Sequence, residues 1–184
     1  MKIRSLSLLA TTLSLACLPV CANTISFSAD TTNLLPFNRP TEDGSVLSDV
    51  GMSVHYFVKN FTVNLTGSYN FSAVAKDPAN FDTFIQLYSM FDYTQPLNNY
   101  LAGNDDAGAN ANLGSALTGI ALTAGSNYSF VIDGFGDSDW GAFSASITGP
   151  GSISSVPDES STFALAACGI AGLWLVRRRS VANS

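Results

Sequence analysis

The chain has 184 residues and a mass of 19.3 kDa, which suits one domain with short tails. Only 12% of the residues are charged and 46% are hydrophobic, so the composition excludes intrinsic disorder of the whole chain. The formal charge of −6 argues against nucleic-acid binding, because proteins of that class usually carry a basic surface.

The first 22 residues have the three parts of a secretory signal peptide. Lys2 and Arg4 precede an uncharged apolar stretch at 6–18, and a small-x-small pattern ends at Ala22. We therefore expect signal peptidase to cut between Ala22 and Asn23. Two alternatives stay open. One is a buried N-terminal helix, and the other is a lipoprotein signal, since two cysteines lie in or beside the apolar stretch.

Residues 23–157 form the predicted exported region, which is more acidic than the whole chain. The region holds three basic and twelve acidic side chains, a net charge of −9. It contains no cysteine, so it cannot form a disulfide in the external compartment. A region of this length can be stabilised by a single hydrophobic core.

Alternating polar and apolar residues dominate the exported region. In Gly67–Ala75, for example, Tyr69 and Phe71 fall on one face, as in a half-buried strand. Residues 30–50 and 102–115 are rich in Asn, Asp, Gly or Pro and are predicted loops. Similar apolar patterns predict further strands at 24–29, 52–58, 81–88, 116–122, 126–133 and 141–148.

These strands predict an all-β fold, an antiparallel β-sandwich of the jelly-roll type. We expect the sandwich to span residues 23–151 and a polar linker with a sorting motif to follow at 152–161. A signal helix at 1–22 would precede the sandwich. A hydrophobic C-terminal helix and its basic flank, at 162–180, would follow the linker.

The second half of the sandwich resembles a family of accessory modules. Its motifs are, in order, Gln86-Leu87-Tyr88, Asn104-Asp105-Asp106, the stretch 122–128, Gly141-Ala142-Phe143 and the stretch 148–151. This order is similar to that of pre-peptidase C-terminal domains, which accompany secreted enzymes and surface proteins. The resemblance implies a jelly-roll-like sandwich with a binding or accessory role rather than catalysis.

No catalytic residue is predicted. His55 is the only histidine, and it lies on a predicted strand without a nucleophile motif nearby. One histidine and no cysteine in the exported region also argue against an ordinary zinc site. Carboxylates are the remaining chemistry, because a glycosidase needs only a suitably spaced pair of them.

Two Asp-rich loops predict a candidate calcium site. Asp105 and Asp106 lie in the first loop, and Asp133, Asp137 and Asp139 lie in the second. Clustered carboxylates and loop carbonyls supply the oxygen ligands that calcium prefers, so calcium is the one candidate cofactor. The alternative is that these residues are solvated turn aspartates.

Three aromatic residues near loops are candidates for stacking on sugar rings. They are Tyr93, Tyr100 and Trp140. The alternative, which the general use of aromatic residues in packing favours, is that they cap the ends of the sandwich.

The C-terminal segment combines an apolar stretch with a basic cluster. Residues 163–176 carry no charge, and Arg177, Arg178 and Arg179 follow directly. This stretch is shorter than the roughly 20 residues that cross a bilayer unaided, but polar flanks and snorkelling arginines extend its reach. A Val-Pro-acidic sorting motif precedes the stretch, at Val156, Pro157, Asp158, Glu159 and Ser160.

The order of motif, short apolar helix and arginine cluster resembles the PEP-CTERM sorting segment of exported bacterial proteins. Asp158 and Glu159 depart from the usual Glu and second Pro. The resemblance implies a Gram-negative envelope, an exosortase-type processing enzyme and an association with exopolysaccharide or biofilm production. We therefore expect a protein that is transiently anchored in the inner membrane and then reaches the cell surface or the extracellular space.

The leading hypothesis is an exported, non-enzymatic envelope or extracellular-matrix protein. Its role would be structural, adhesive or glycan-binding, with exopolysaccharide as a candidate partner and no nucleic-acid partner. The alternative is a secreted, glycosidase-like hydrolase that uses paired aspartates.

Overall fold

The computed structural model describes residues 22–77, 81–107 and 114–156, and these residues form eleven β-strands and no helix. The predicted all-β, antiparallel fold is confirmed. The strands are β1 (Asn23–Asp30), β2 (Pro36–Phe37), β3 (Val54–His55), β4 (Phe57–Val63), β5 (Gly67–Ala75), β6 (Thr83–Tyr88), β7 (Tyr100–Asn104), β8 (Gly114–Leu122), β9 (Asn127–Gly134), β10 (Ala142–Gly149) and β11 (Ile153–Ser155).

Two antiparallel sheets form the sandwich. The four-stranded sheet has the order β1-β10-β5-β8, and the five-stranded sheet has the order β11-β4-β9-β6-β7. Strands β2 and β3 pair separately. Because successive side chains in a strand point to opposite faces, each alternating strand turns its apolar residues toward the facing sheet.

The core lies between the two sheets and is rich in aromatic side chains. Phe71 of the four-stranded sheet lies 5.1 Å from Phe130 and 5.9 Å from Phe61 of the five-stranded sheet, between ring centroids. Each large apolar side chain buried in this way contributes about 1.5–3 kcal/mol to the free energy of folding. The interior cluster draws residues from both sheets, so the sandwich has one continuous core.

Residues 31–56 form an outer layer on the five-stranded sheet, on the face turned away from the four-stranded sheet. Phe37 and Val54 of this layer pack with Tyr88 and Val131 of the sheet in a second apolar cluster. Every residue of β6 is therefore buried. The segment 30–50, which was predicted as a loop, is most of this third layer, because its buried residues Phe37 and Arg39 pack it onto the sheet.

A loop prediction, a linker prediction and a strand prediction differ from the structure. The predicted loop at 102–115 contains the end of β7 and the start of β8, and the predicted linker at 152–161 contains β11. The predicted strand at 52–58 is divided between β3 and β4, and β4 continues to Val63. Strands β7 and β11 are short sheet edges, where backbone pairing does not require alternating apolar side chains. The sandwich consequently extends to Ser155.

The predicted terminal segments lie largely outside the described residues. These segments include the signal helix and the C-terminal helix with Arg177, Arg178 and Arg179. Strand β1 begins at Asn23, the residue predicted to follow signal cleavage, and Asn23 pairs with Gly149 of β10. In the three described ranges, no helix has the length and apolarity needed to span a bilayer.

Candidate functional site

Three aspartates lie on the outer face of the five-stranded sheet, at the end where β6 begins. Phe84 of β6 pairs with Asp133 of β9. The register between β6 and β7, continued by one residue, places Asp105 on the other side of Phe84. Asp82 precedes Phe84 by two residues and therefore shares its face. We call Asp82, Asp105 and Asp133 the acidic end.

Asp133 is fully buried at this end. Its Oδ2 accepts a hydrogen bond from Gln86 Nε2 at 2.6 Å, and Gln86 Oε1 in turn accepts one from the Tyr88 hydroxyl. This chain of bonds fixes the orientation of the Asp133 carboxylate. The Oδ1 atoms of Asp82, Asp105 and Asp133 are buried and have no hydrogen-bond partner among the described residues.

Arg39 places a buried cation beside the acidic end. Only 3% of its surface is exposed, and its guanidinium carbon lies 3.9 Å from the centroid of the Phe84 ring. Its Nε and one terminal nitrogen donate to the Phe135 carbonyl at 3.1 and 2.6 Å, and the other terminal nitrogen donates to the Pro40 carbonyl at 3.0 Å. The guanidinium therefore holds backbone carbonyls, while its charge acts through space on the nearby carboxylates.

Burial raises the pKa of each aspartate in the acidic end. It raises the pKa of Asp105 to about 6, with a further contribution from the negative charges of Asp82 and Asp106. Burial also raises the pKa of Asp133 well above its usual range, although the Arg39 charge acts in the opposite direction. The pKa of Asp82 is raised by burial and then by two neighbouring carboxylates. Ionising this end without an additional cation is therefore costly.

The two Asp-rich loops lie at the same end of the sandwich. Asp105 and Asp133 belong to the acidic end, and the charges of Asp106 and Asp139 raise the pKa of Asp82. The structure thus brings four of the five residues of the predicted calcium site to one region.

Asp137 and Asp139 also have structural hydrogen bonds. Asp137 Oδ1 accepts from the Ser53 backbone N–H at 2.7 Å, and Asp139 Oδ2 accepts from the Gly136 N–H at 2.8 Å. In the part of the chain that the structure describes, no group of three or more His, Cys, Asp or Glu residues is arranged to hold a metal ion.

Asp82 was missed by the sequence analysis. It precedes β6 and is far in sequence from both Asp-rich loops. Only the register of β6 with β7 and β9 reveals that it shares an end and a face with Asp105 and Asp133.

A second candidate site is a groove on the same sheet, beside the outer layer. Tyr93 is 51% exposed, and its ring stacks on Tyr56 with centroids 6.4 Å apart and planes 25° apart. Tyr56 packs against Phe91 at 5.1 Å, and Phe91 against the fully buried Tyr88 at 5.0 Å. The groove has a volume of about 470 Å³ and is lined by Tyr56, Val58, Asn60, Met90, Phe91, Asp92 and Tyr93; we call it the aromatic groove.

The other candidate aromatic residues lie elsewhere. The Tyr100 hydroxyl donates to the Glu42 carbonyl at 2.8 Å, and its ring packs against Tyr88, so Tyr100 joins the outer layer to the sheet. Trp140 is 44% exposed and lines a separate cleft of about 420 Å³. His55 forms a hydrogen bond through Nδ1 with the Leu34 carbonyl.

Comparison with known proteins identifies the C-terminal segment. Residues 155–180 match the VPDSG-CTERM motif, a C-terminal sorting signal related to the predicted one. The PEP-CTERM assignment itself and the likeness to pre-peptidase C-terminal domains are not confirmed. A sorting signal of this kind indicates an exported, surface-sorted protein and implies processing by a sortase-like enzyme. No curated protein matches the chain.

Among solved structures, the chain is similar to the K1 cleaved adhesin domain of Lys-gingipain from Porphyromonas gingivalis W83. The identity is 14% and the TM-score is 0.34, and the alignment covers 74% of this chain and 99% of that domain. At this identity and TM-score the similarity carries no argument about a ligand or a role.

Proposed function

We propose that this chain is an exported, non-enzymatic surface protein that binds a carbohydrate polymer through the aromatic groove. The observation that carries the proposal is the half-exposed ring of Tyr93, stacked on Tyr56 in a concave surface. Apolar surface that remains exposed in a concavity beside polar groups is characteristic of binding sites.

The chemistry of the groove suits a sugar ring, which has apolar C–H faces and polar hydroxyl edges. Tyr93 and Met90 present exposed apolar surface, while Asn60 and Asp92 supply an amide and a carboxylate in the same groove. A series of ring contacts runs from Tyr93 through Tyr56 and Phe91 to the buried Tyr88. These contacts hold the platform in place before the ligand arrives, which reduces the entropic cost of binding. The polymer we propose is an exopolysaccharide of the biofilm matrix, which would make the protein adhesive or structural.

Replacing Tyr93 with Ala tests this proposal. We expect binding of the purified protein to a panel of bacterial exopolysaccharides to weaken at least about tenfold, or about 1.4 kcal/mol. The variant loses the apolar ring surface that a sugar would cover, and burial of such surface is worth roughly 25 cal/mol per Å². Binding is measured by retardation in polysaccharide-containing gels. Since Tyr93 is exposed, the free energy of unfolding should change by less than about 1 kcal/mol.

Trp140→Ala is the matched control, because it removes a similarly exposed aromatic side chain from a different cleft. The control should bind like the parent protein. Loss of binding in the control but not in the Tyr93 variant would move the site to the Trp140 cleft and overturn the assignment to the groove. Absence of binding to every polymer in the panel would count against the carbohydrate proposal.

The alternative function is a secreted hydrolase that uses paired aspartates. The raised pKa of Asp105, beside the Asp82 and Asp106 carboxylates, favours it, because a glycosidase needs a protonated carboxyl as its general acid. The binding panel distinguishes the two functions when reducing ends are measured after incubation. If the parent protein releases reducing ends and the Asp105→Asn variant does not, the chain is a hydrolase rather than a binding protein.

We propose an export route that uses both termini. Signal peptidase cuts after Ala22, and the apolar stretch 163–176 then holds the chain in the inner membrane with Arg177, Arg178 and Arg179 on the cytoplasmic side. An exosortase-type enzyme finally releases the chain. Strand β11 ends at Ser155, and the Val156 N–H donates to the Asn60 carbonyl at 3.0 Å. A cut after Val156 therefore leaves the sandwich intact.

Replacing Arg177, Arg178 and Arg179 with Ser should weaken retention in the inner membrane. The apolar stretch is short, so loss of its three cytoplasmic charges removes the feature that stops translocation. We expect most of the variant to leave the membrane fraction without C-terminal processing, as measured by fractionation and intact mass. Unchanged retention together with an unchanged C-terminal mass would contradict the proposed route.

A further inference from the structure

The outer face of the four-stranded sheet carries short and almost entirely uncharged side chains. On the adjacent strands β1, β10 and β5, the even-numbered residues of 24–30, 142–148 and 68–74 point outward, and all of them are exposed or half-exposed. Eight of these twelve residues are Ser or Thr, and Asp30 alone is charged. We call this surface the hydroxyl face.

Hydroxyl groups of the hydroxyl face are hydrogen-bonded to one another across the strands. Three such pairs are Thr24 with Thr148 at 2.8 Å, Ser28 with Ser144 at 3.1 Å, and Ser72 with Ser146 at 2.8 Å. Removing water from a polar group is costly unless the group is hydrogen-bonded. Because these hydroxyls have partners within the sheet, the hydroxyl face can be covered by another surface at a reduced cost.

The acidic side chains of the exported region lie away from the hydroxyl face. Eleven of the twelve belong to the outer layer, to loops or to the five-stranded sheet, and Asp30 is the exception. With a net charge of −9, two copies of the region repel each other when their acidic surfaces meet. The hydroxyl face is a surface through which two copies can approach with little repulsion.

Two opposite charges lie in one row at the end of the hydroxyl face. Asp30 of β1 pairs with Ala142 of β10, and on the other side of β10 the Lys76 N–H donates to the Ala142 carbonyl at 2.8 Å. Asp30 and Lys76 are both exposed and lie at the same level on either side of β10. A twofold axis along β10, between two facing sheets, keeps each level and exchanges the sides. Asp30 of each copy would then lie over Lys76 of the other.

We propose that the hydroxyl face binds the hydroxyl face of a second copy of this chain, with the two β10 strands facing each other on a twofold axis. Facing sheets pack with their strands nearly aligned, and short side chains let the two sheets approach closely. A twofold arrangement uses the same patch on both copies, so the two exchanged pairs of Asp30 and Lys76 form together.

The size of the hydroxyl face predicts a weak dimer. Three overlapping strands of this length cover roughly 400 Å² per copy, given the usual spacing of strands and rise per residue. Stable complexes bury about 800 Å² per partner, so this dimer would form where many copies are concentrated, as on a cell surface. The aromatic groove lies on the other sheet, so the dimer would present one groove on each outer side. The association itself does not depend on carbohydrate binding.

The experiment is sedimentation equilibrium of the full chain in a density-matched mild detergent. We expect a monomer–dimer equilibrium with a dissociation constant on the order of 100 µM, as suits a small interface. Ser144→Glu alters an exposed residue of β10 and places two like charges beside the twofold axis, so it should weaken the dimer at least about tenfold. A parent chain that stays monomeric up to about 1 mM, or a Ser144→Glu variant that associates like the parent, would overturn the proposal.

Exchanging the charges tests the twofold arrangement. Asp30→Lys would place a lysine over Lys76 of the second copy, and we expect the dimer to weaken at least about fivefold. The same substitution lowers the net negative charge, so general repulsion between copies would predict a stronger dimer instead. Adding Lys76→Asp restores opposite charges and should return the dissociation constant to within about threefold of the parent value. A stronger dimer in Asp30→Lys, or no recovery in the double variant, would overturn the arrangement.

Thr118→Glu is the matched control for Ser144→Glu. Thr118 is an exposed residue of β8 in the same sheet, and the substitution adds the same charge. An axis along β10 exchanges β1 with β5 and leaves β8 without a counterpart, so Thr118 lies outside the overlap. The control should dimerise within about threefold of the parent chain. A loss as large as that of Ser144→Glu would contradict the proposed axis.

Discussion

Arg39→Ala is expected to lower the free energy of unfolding by about 3–5 kcal/mol, which is the usual cost of removing one member of a buried charged cluster. The substitution leaves the Phe135 carbonyl without its two donors and removes the cation stacked 3.9 Å above Phe84. It also leaves the buried Asp133 carboxylate without the charge that lowers its pKa. Hydrogen bonds, stacking and charge balance are thus lost together.

Arg39→Lys shows which of these contributions matters most. Lysine keeps the charge but cannot donate two bonds from a planar fork or stack in the same way. We expect this variant to lose about half as much stability as Arg39→Ala in denaturant unfolding. Equal losses would indicate that the fork and the stacking carry the effect, and no loss would indicate that charge alone does.

Lys59→Ala is the control for the Arg39 variants. The Lys59 ammonium also lies over an aromatic ring, that of Phe27, but at 5.6 Å. An interaction of this kind is worth about 0.5–1 kcal/mol when it is partly exposed. A loss at Lys59 as large as that at Arg39 would contradict the special role of the buried guanidinium.

The positions of the strands could be predicted from the sequence where a strand has one solvent-exposed face and one buried face. The prediction for β5 coincides with the observed Gly67–Ala75, because Tyr69, Phe71 and Ala73 are buried and the residues between them are not. The same logic located most of β1, β8 and β10. Alternation is informative in these strands because one face borders the core and the other borders water.

The same reasoning misses structure that is held by the backbone or by distant partners. β11 has three residues and is defined by its pairing with β4, which leaves no side-chain pattern. The outer layer is held by Phe37, Arg39 and Val54, whose spacing in the sequence follows neither a strand nor a helix period. Arg39 in particular has no local signal, because its partner Phe135 is 96 residues away.

The candidate sites follow the same division. The Asp-rich loops were visible because Asp, Asn and Gly cluster in sequence, but the contribution of Asp82 depends on cross-strand register. Tyr93 was identified as a candidate for sugar stacking, whereas its support by Tyr56 and Phe91 arises from residues on separate elements. Composition therefore indicated the chemistry of each site, and the fold determines which residues act together.

The second large effect is expected at the end of β10, where Gly149 lies under the ring of Tyr69. The register between β10 and β5, continued by one residue, places these two residues opposite each other. A Cβ on Gly149 would lie 2.0 Å from Cδ1 and 2.2 Å from Cε1 of Tyr69, far closer than any real contact. Tyr69 is fully buried, and its hydroxyl donates to the Leu65 carbonyl at 2.8 Å, so the ring has little room to move.

Gly149→Ala should therefore destabilise the protein by about 3 kcal/mol, the upper part of the range for overpacking a core. Denaturant unfolding, with sucrose added to keep weak variants folded, measures the loss. In a Tyr69→Ala background the same substitution should cost less than about 0.5 kcal/mol, because the ring that meets the new methyl group is gone. Ser144→Ala, on the exposed face of β10, controls for a change in strand preference and should cost well under 1 kcal/mol. If Gly149→Ala costs the same in both backgrounds, the backbone at position 149 requires glycine for a reason other than the Tyr69 ring. The packing of Tyr69 against Gly149 would then not be the contact that joins β5 to β10 at this end of the sandwich.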